Sequence, residues 1–356
     1  MKLVIKVGTQ SILATDGTPQ ESVMLSLVEQ IATLHQQGHH IILVSSGAVG
    51  SGRKIARHLL RREYGTSIGE KQLLASLGQH ELIHLYAQLF KPHQMLVSQL
   101  LLTKQDFQTR QHYLNISRLL HEIVEHKHII PIINENDSVS IEELMFTDND
   151  ELAGLIAAQM NADKLIILSH VKGVYTTHLN DPGAQLIPII NPAQGWPTVS
   201  DAISAQGRGG MSSKLAMARK MSTLGITTHI VSHEEPLAII NVLAGDSLGT
   251  TILPAKKKSN IKRWMAYTNE KQQGSISVNQ CLYDILKENE RILSILPVGI
   301  ESCRGDFKKG DLVEIVGPNG EKIAVGLAKY DIHRLREYLG KKEQPEFIHY
   351  DYLHVF

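Results

Sequence analysis

The chain has few cysteines. Cys281 and Cys303 are the only two in 356 residues; they lie 22 positions apart, which matches no paired-thiolate metal spacing. Two cysteines cannot form a disulfide framework in a chain of this length, so a reducing, cytoplasmic setting is the default expectation. Aromatic residues make up 5%, too few for a surface that works mainly by stacking nucleic-acid bases. Charge of one sign is also lacking: Lys plus Arg and Asp plus Glu are 36 each, which argues against a protein that coats nucleic acid. No apolar run approaches the ~18 residues that a membrane span requires. The apolar opening at residues 3–7 is too short for a signal segment and is interrupted by Lys6. What remains is ordinary globular composition, 42% hydrophobic and 20% charged, at a length that suggests two domains.

The first 253 residues alternate short apolar runs with helical patterns. Residues 3–7, 41–44, 95–97, 129–133, 165–168 and 227–231 read as strands. Pro131 suggests a strand start or a sheet edge. Val23, Leu27, Ile31 and Leu34 fall on one helical face that Gly38 ends; residues 73–90, 114–124, 152–160 and 215–224 also read as helices. Continuous β-branched runs between amphipathic helices indicate an α/β fold whose parallel strands are covered on both faces. In such sheets ligands sit beyond the carboxyl ends of the strands. The composition shifts at residue 254. A basic stretch, residues 254–260, reads as a solvated linker or a nucleic-acid contact, and short strands with turn signals follow. Asn319-Gly320 between two β-rich runs marks a hairpin, so residues 274–356 read as a small, mostly-β module.

Five segments carry candidate chemistry. Lys6 lies inside a strand run and is followed by Gly8-Thr9; it is either a strand-end lysine reaching water or part of a phosphate-binding turn. Ser45-Ser46-Gly47-Ala48-Val49 follows the second run, where small residues allow backbone N–H groups to approach an anion, or simply make a tight turn. Asn134-Glu135-Asn136-Asp137-Ser138 supplies carboxylate and amide oxygens suited to an ammonium group, and donors suited to a carboxylate. Asp148-Asn149-Asp150-Glu151 fits a capping box, which leaves the amide and a further acid unexplained. Gly207-Arg208-Gly209-Gly210-Met211-Ser212-Ser213-Lys214 places a lysine in the first turn of a helix, where it opposes the dipole unless an anion binds there. This stretch lacks the spacing of the common phosphate-binding loop. The 18 histidines, including His39, His40, His126 and His128, form no ligand pattern.

Taken together and in order, Lys6-Val7-Gly8-Thr9, Ser45-Ser46-Gly47-Ala48-Val49, Asn134-Glu135-Asn136-Asp137, Asp148-Asn149-Asp150 and Gly209-Gly210-Met211-Ser212-Ser213-Lys214 resemble the motifs of the glutamate 5-kinases. The C-terminal module resembles a PUA domain. The resemblance implies a three-layer αβα sandwich of the amino acid kinase type over residues 1–253, a linker over 254–273 and a PUA-like domain over 274–356. It implies transfer of the γ-phosphate of ATP, with Mg2+ carried by the nucleotide and not held by the protein, to the side-chain carboxylate of L-glutamate, the first step of proline synthesis. By motif, Lys6 and Lys214 resemble the lysines that neutralise the phosphoryl group, and Asp150 the carboxylate that orients them. Ser46, Gly47, Asn134, Asp137, Asp148 and Asn149 resemble the glutamate pocket. Lys6, Gly8, Ser169, His170 and residues Arg208, Gly209, Gly210, Met211, Ser212, Ser213 and Lys214 fall where the family binds ATP. The resemblance further implies proline as a feedback inhibitor, a homodimer or homotetramer, and RNA as a conceivable ligand of the PUA-like module. The sequence departs from the pattern at Ser169-His170, where Thr-Asp is usual, at Thr147 in place of glycine and at Arg208 in place of threonine. These changes bear on nucleotide affinity more than on the reaction. Two other functions compete: an RNA-binding or regulatory chain with an impaired kinase domain, and a related kinase acting on aspartate or a carbamate.

Overall fold

The computed structural model describes residues 1–107, 110–140, 146, 148–177, 181, 183–197, 210–255, 274–288 and 294–355. Thr147, Arg208, Gly209 and most of the linker lie outside them. The chain divides into two compact units, Met1–Lys257 and Lys258–Phe356.

The first unit is built on eight strands: β1 (Lys2–Val7), β2 (His40–Ser45), β3 (Leu96–Leu102), β4 (Ile129–Glu135), β5 (Lys164–Ser169), β6 (Ile189–Ile190), β7 (Thr227–Ser232) and β8 (Thr250–Ile252). Their order in the sheet is β3-β4-β2-β1-β5-β7-β8-β6. Every pairing is parallel except β7 with β8. The chain first winds outward from β1 through β2, then crosses to β5 on its other side. The carboxyl ends of β1, β2, β4 and β5 therefore lie along one edge, at the topological switch point.

The helices are α1 (Thr9–Ile12), α2 (Glu21–Gln36), α3 (Ala48–Ile55), α4 (Ile68–Phe90), α5 (Arg110–Glu125), α6 (Asn149–Gln159), α7 (Met211–Thr223) and α8 (Ala238–Ala244). Strand alternation sends successive side chains to opposite faces and so divides the helices into two layers. Leu3, Ile5 and Val7 of β1 join one core with Met24, Val28 and Ile31 of α2, Leu82 and Tyr86 of α4, and Ile239 of α8. Val4 and Lys6 point the other way, toward the face where α6 packs on β1 and α7 packs on α6. That alternation aims Lys6 at the helices that carry Asp150 and Lys214.

Two features depart from the sequence reading. Pro131 lies in an interior strand, at neither the start of β4 nor a sheet edge. β4 pairs with β3 along its whole length, but with β2 only at Ile132 and Ile133, so the missing proline N–H falls before that ladder begins. Residues 48–55, rich in glycine, form the helix α3 against their intrinsic propensity. Close packing explains it: a Cβ on Gly52 would sit 1.8 Å from the Leu74 carbonyl oxygen, and one on Gly78 1.8 Å from the Ala48 oxygen. The backbones of α3 and α4 touch through these two glycines.

The second unit is a five-stranded sheet, ordered β10 (Ile300–Gly305), β9 (Gly274–Val278), β11 (Leu312–Val316), β12 (Lys322–Leu327) and β13 (Leu353–Val355). Asn319-Gly320 lies in the turn between β11 and β12, with Gly320 at φ 84° where a side chain would be strained. Phe307 and Phe347 are fully buried in its core. Among the described residues, no helix is long and apolar enough to cross a membrane.

Candidate active site

A pocket of about 700 Å³ opens at the carboxyl ends of β1, β2, β4 and β5. Lys6 is near the end of β1 and 6% exposed. Its Nζ lies 2.6 Å from Asp150 Oδ1. Lys214, in the first turn of α7, places its Nζ 2.9 Å from Asp150 Oδ2. One buried carboxylate thus holds two ammonium groups, each on its own oxygen. Burial pushes the Asp150 carboxyl upward, but Lys6 and Lys214 outweigh it and hold the group below its ordinary value. Two ammonium groups share one carboxylate, so each keeps N–H donors for an anion in the pocket.

Asp150 is fixed from its own backbone. Asp148 caps α6, its Oδ1 accepting from Asp150 N at 2.9 Å and Glu151 N at 3.0 Å. Ser213 of α7 donates to Asp148 Oδ2 and so ties the starts of α6 and α7 together. Burial, and then the charge on Asp150, raise the Asp148 carboxyl. Asp148 therefore serves the pocket as a cap and a tether between helices.

The other half of the pocket is a chain of amides and hydroxyls. Asn149 Nδ2 donates to Ser46 Oγ at 2.7 Å and to Asn134 Oδ1 at 2.9 Å. Asn134 Nδ2 donates to Gln79 Oε1 at 2.8 Å. Asn149 Oδ1 is buried without a hydrogen-bond partner among the described residues. Gly47, at φ 114°, makes the turn into α3 that only glycine adopts freely.

Of the residues read from the sequence, the pocket brings together Lys6, Gly8, Ser46, Gly47, Asn134, Asp137, Asp148, Asn149, Asp150, Ser169, His170 and Lys214. Gly210, Met211, Ser212 and Ser213 shape the start of α7 without lining the pocket. Burial, Lys214 and His233 lower the His170 imidazole, against an opposing pull from Glu234. Sequence reading missed Arg53 and Lys71, which also line the pocket, and the buried Gln79 behind it. Gln79 left a signal: it is a polar residue on the apolar stripe formed by Ala75, Leu82 and Tyr86.

Over residues 1–232 the chain matches the family model described as the amino acid kinase family. The chain belongs to the amino acid kinase family. Residues 274–346 match the PUA domain. Relatives that align over nearly the whole chain include proteins named glutamate 5-kinase. The protein of that name from Bacteroides thetaiotaomicron is 40% identical over 99% of this chain and 98% of its own length. That from Chlorobaculum tepidum is 40% identical, covering 99% and 97%, and that from Salmonella arizonae is 36% identical, covering 96% and 92%. Near-complete coverage on both sides means that the kinase domain and the PUA domain are shared as a pair.

The donor set suits a nucleotide phosphate, with two lysines and a small-residue turn at Gly8 beside an open pocket. It is less suited to a metal ion held by the protein. Asp150 is engaged by both lysines, and Asp148 by two backbone N–H groups and Ser213.

Proposed function

We propose that this chain transfers the γ-phosphoryl group of ATP to the side-chain carboxylate of L-glutamate, forming L-glutamyl 5-phosphate. The observation that carries the reading is the convergence of Lys6 and Lys214 on the two oxygens of Asp150. A carboxylate attacking a polyphosphate brings two anions together, so the barrier is lowered by placement and positive charge. An oxygen of the glutamate carboxylate forms the new bond to phosphorus as the bond to the β,γ-bridging oxygen breaks, and ADP leaves with that electron pair. Lys6 and Lys214 neutralise the charge on the moving group. Asp150 fixes their ammonium groups in place before substrate arrives, so little reorganisation is needed at the moment of transfer.

Ser46, Asn134 and Asn149 orient glutamate, together with Asp137. Asn149 Oδ1 is an acceptor for the substrate ammonium, and the Ser46 hydroxyl, which accepts from Asn149, keeps its own hydrogen for a carboxylate. Mg2+ would come with the nucleotide, ligated by phosphate oxygens, and would add charge neutralisation at the polyphosphate. Gly8, Ser169 and His170 border the nucleotide side of the pocket. Residues 1–253 carry this chemistry, and residues 274–356 form a separate module.

Trapping the acyl phosphate with hydroxylamine, in parallel reactions with glutamate and aspartate, tests the reading. Aspartate is one methylene shorter, and a displacement of that size costs about 10²-fold in rate. Turnover with glutamate should exceed that with aspartate by about this factor. Equal turnover, or none with glutamate, would refute the assignment.

A further inference from the structure

The pocket's amide network is anchored from behind by a residue outside its lining. Gln79 lies in the middle of α4 and is buried. Its Oε1 accepts from Asn134 Nδ2 at 2.8 Å. Asn134 Oδ1 faces the opposite way, accepting from the Glu135 backbone N–H at 2.8 Å and from Asn149 Nδ2 at 2.9 Å. A backbone N–H can only donate, so the Glu135 N–H gives Asn134 one orientation, with its Nδ2 turned toward Gln79. Asn149 must then present its amide nitrogen to Asn134 and Ser46, which uses both of its N–H bonds. Its remaining polar atom, Oδ1, is the one left buried without a partner. A second contact from the same helix, Gln72 Nε2 to the Ser140 carbonyl oxygen at 3.3 Å, holds the far end of the loop after β4.

We propose that Gln79 is a positioning residue that holds Asn134, and through it Asn149, in place in the substrate pocket. The inference rests on the assignment of these two amides to the glutamate pocket. With Gln79 accepting, Asn149 offers an oxygen to the ammonium group of an amino acid. Without that acceptor, Asn134 Nδ2 is left unpaired in a buried site, and Asn134 loses the contact that holds it from behind. Asn149, which donates to Asn134 Oδ1, then loses its fixed placement against the substrate ammonium. Gln79 therefore acts on recognition of the amino acid and leaves the nucleotide and the transferring lysines alone.

The test compares wild type with Gln79→Met, which keeps the length but removes the acceptor, and Gln79→Glu, which keeps an acceptor. Turnover, glutamate binding by calorimetry and thermal unfolding are measured on the full chain. The expected result for Gln79→Met is a glutamate KM raised about fivefold or more, with the ATP KM within about twofold of wild type, since an unpaired buried polar group costs at least about that factor. Gln79→Glu should restore the glutamate KM to within about threefold. A wild-type glutamate KM in a folded Gln79→Met overturns the inference, as does an equal rise in both KM values. Should Gln79→Met fail to fold, Gln79→Glu decides: a folded variant that no longer binds glutamate overturns it. Loss of fold in both makes Gln79 a stability residue and overturns it too. Wild-type protein that neither binds nor phosphorylates glutamate sinks the functional assignment first, and this inference with it.

Discussion

At the scale of single residues, the decisive group is Asp150. It is 1% exposed and carries two ion pairs, and a buried carboxylate is tolerated only when compensated in this way. Removing its charge leaves two ammonium groups facing each other across a neutral side chain. Asp150→Asn is expected to destabilise the protein by about 3–5 kcal/mol, the usual cost of breaking a buried pair. Inorganic phosphate should recover part of that loss by supplying a replacement anion. Thermal unfolding with and without phosphate checks both expectations; unchanged stability of the variant would show that the lysines need no counter-charge. The sequence made Lys6, Asp150 and Lys214 visible because each violates a local rule. Lys6 interrupts an apolar strand, Lys214 opposes a helix dipole, and Asp150 is one acid more than the cap requires. Gln79 violated a rule as well, but a single polar residue on an apolar stripe has no sequence partner to give it meaning. Its partner, Asn134, is 55 residues away.

At the scale of elements, long strands and amphipathic helices were legible, whereas those shaped by tertiary contact were not. β1, β2, β4 and β5 are continuous apolar runs and read as what they are. β6 and β8, with two and three residues, are too short for any periodicity to register. α3 contradicts its own propensity, because the approach of Gly52 and Gly78 is a property of two helices together. β7 carries a consequence of its own. His229 is 5% exposed and its Nδ1 lies 3.0 Å from Thr251 Oγ1 of β8. Burial, then the charge on Lys164, lowers its imidazole from 6.5 to about 4. Between those two values the unfolded chain binds the proton and the native strand does not, so stability rises with pH across that window and falls on acidification. The loss on going from neutral pH to below about 4 amounts to up to about 3 kcal/mol from this group. Denaturant melts of wild type and His229→Gln between pH 7 and 4 check it: the variant should show the shallower decline. Parallel declines would assign the acid sensitivity to other groups.

At the scale of the whole molecule, the first unit exists to bring distant residues to one sheet edge. Lys6 lies near the end of β1 and Lys214 in the first turn of α7, and the parallel topology delivers both to the carboxyl ends of β1 and β5. The composition changes near residue 254, and the break between the two compact units falls at Lys257 and Lys258. The strand order was not legible, since parallel pairing leaves no local trace in sequence. Residues that act on one migrating group behave as a unit, so their losses are not additive. Single-turnover phosphoryl transfer to glutamate, measured for wild type, Lys6→Ala, Lys214→Ala and the double variant, tests this convergence most directly. Each single variant should lose about 10²–10³ in rate, as for one missing charge-stabilising donor, and the double variant should fall well short of the product of the two losses. A wild-type rate in either single variant would contradict a shared role for the two ammonium groups.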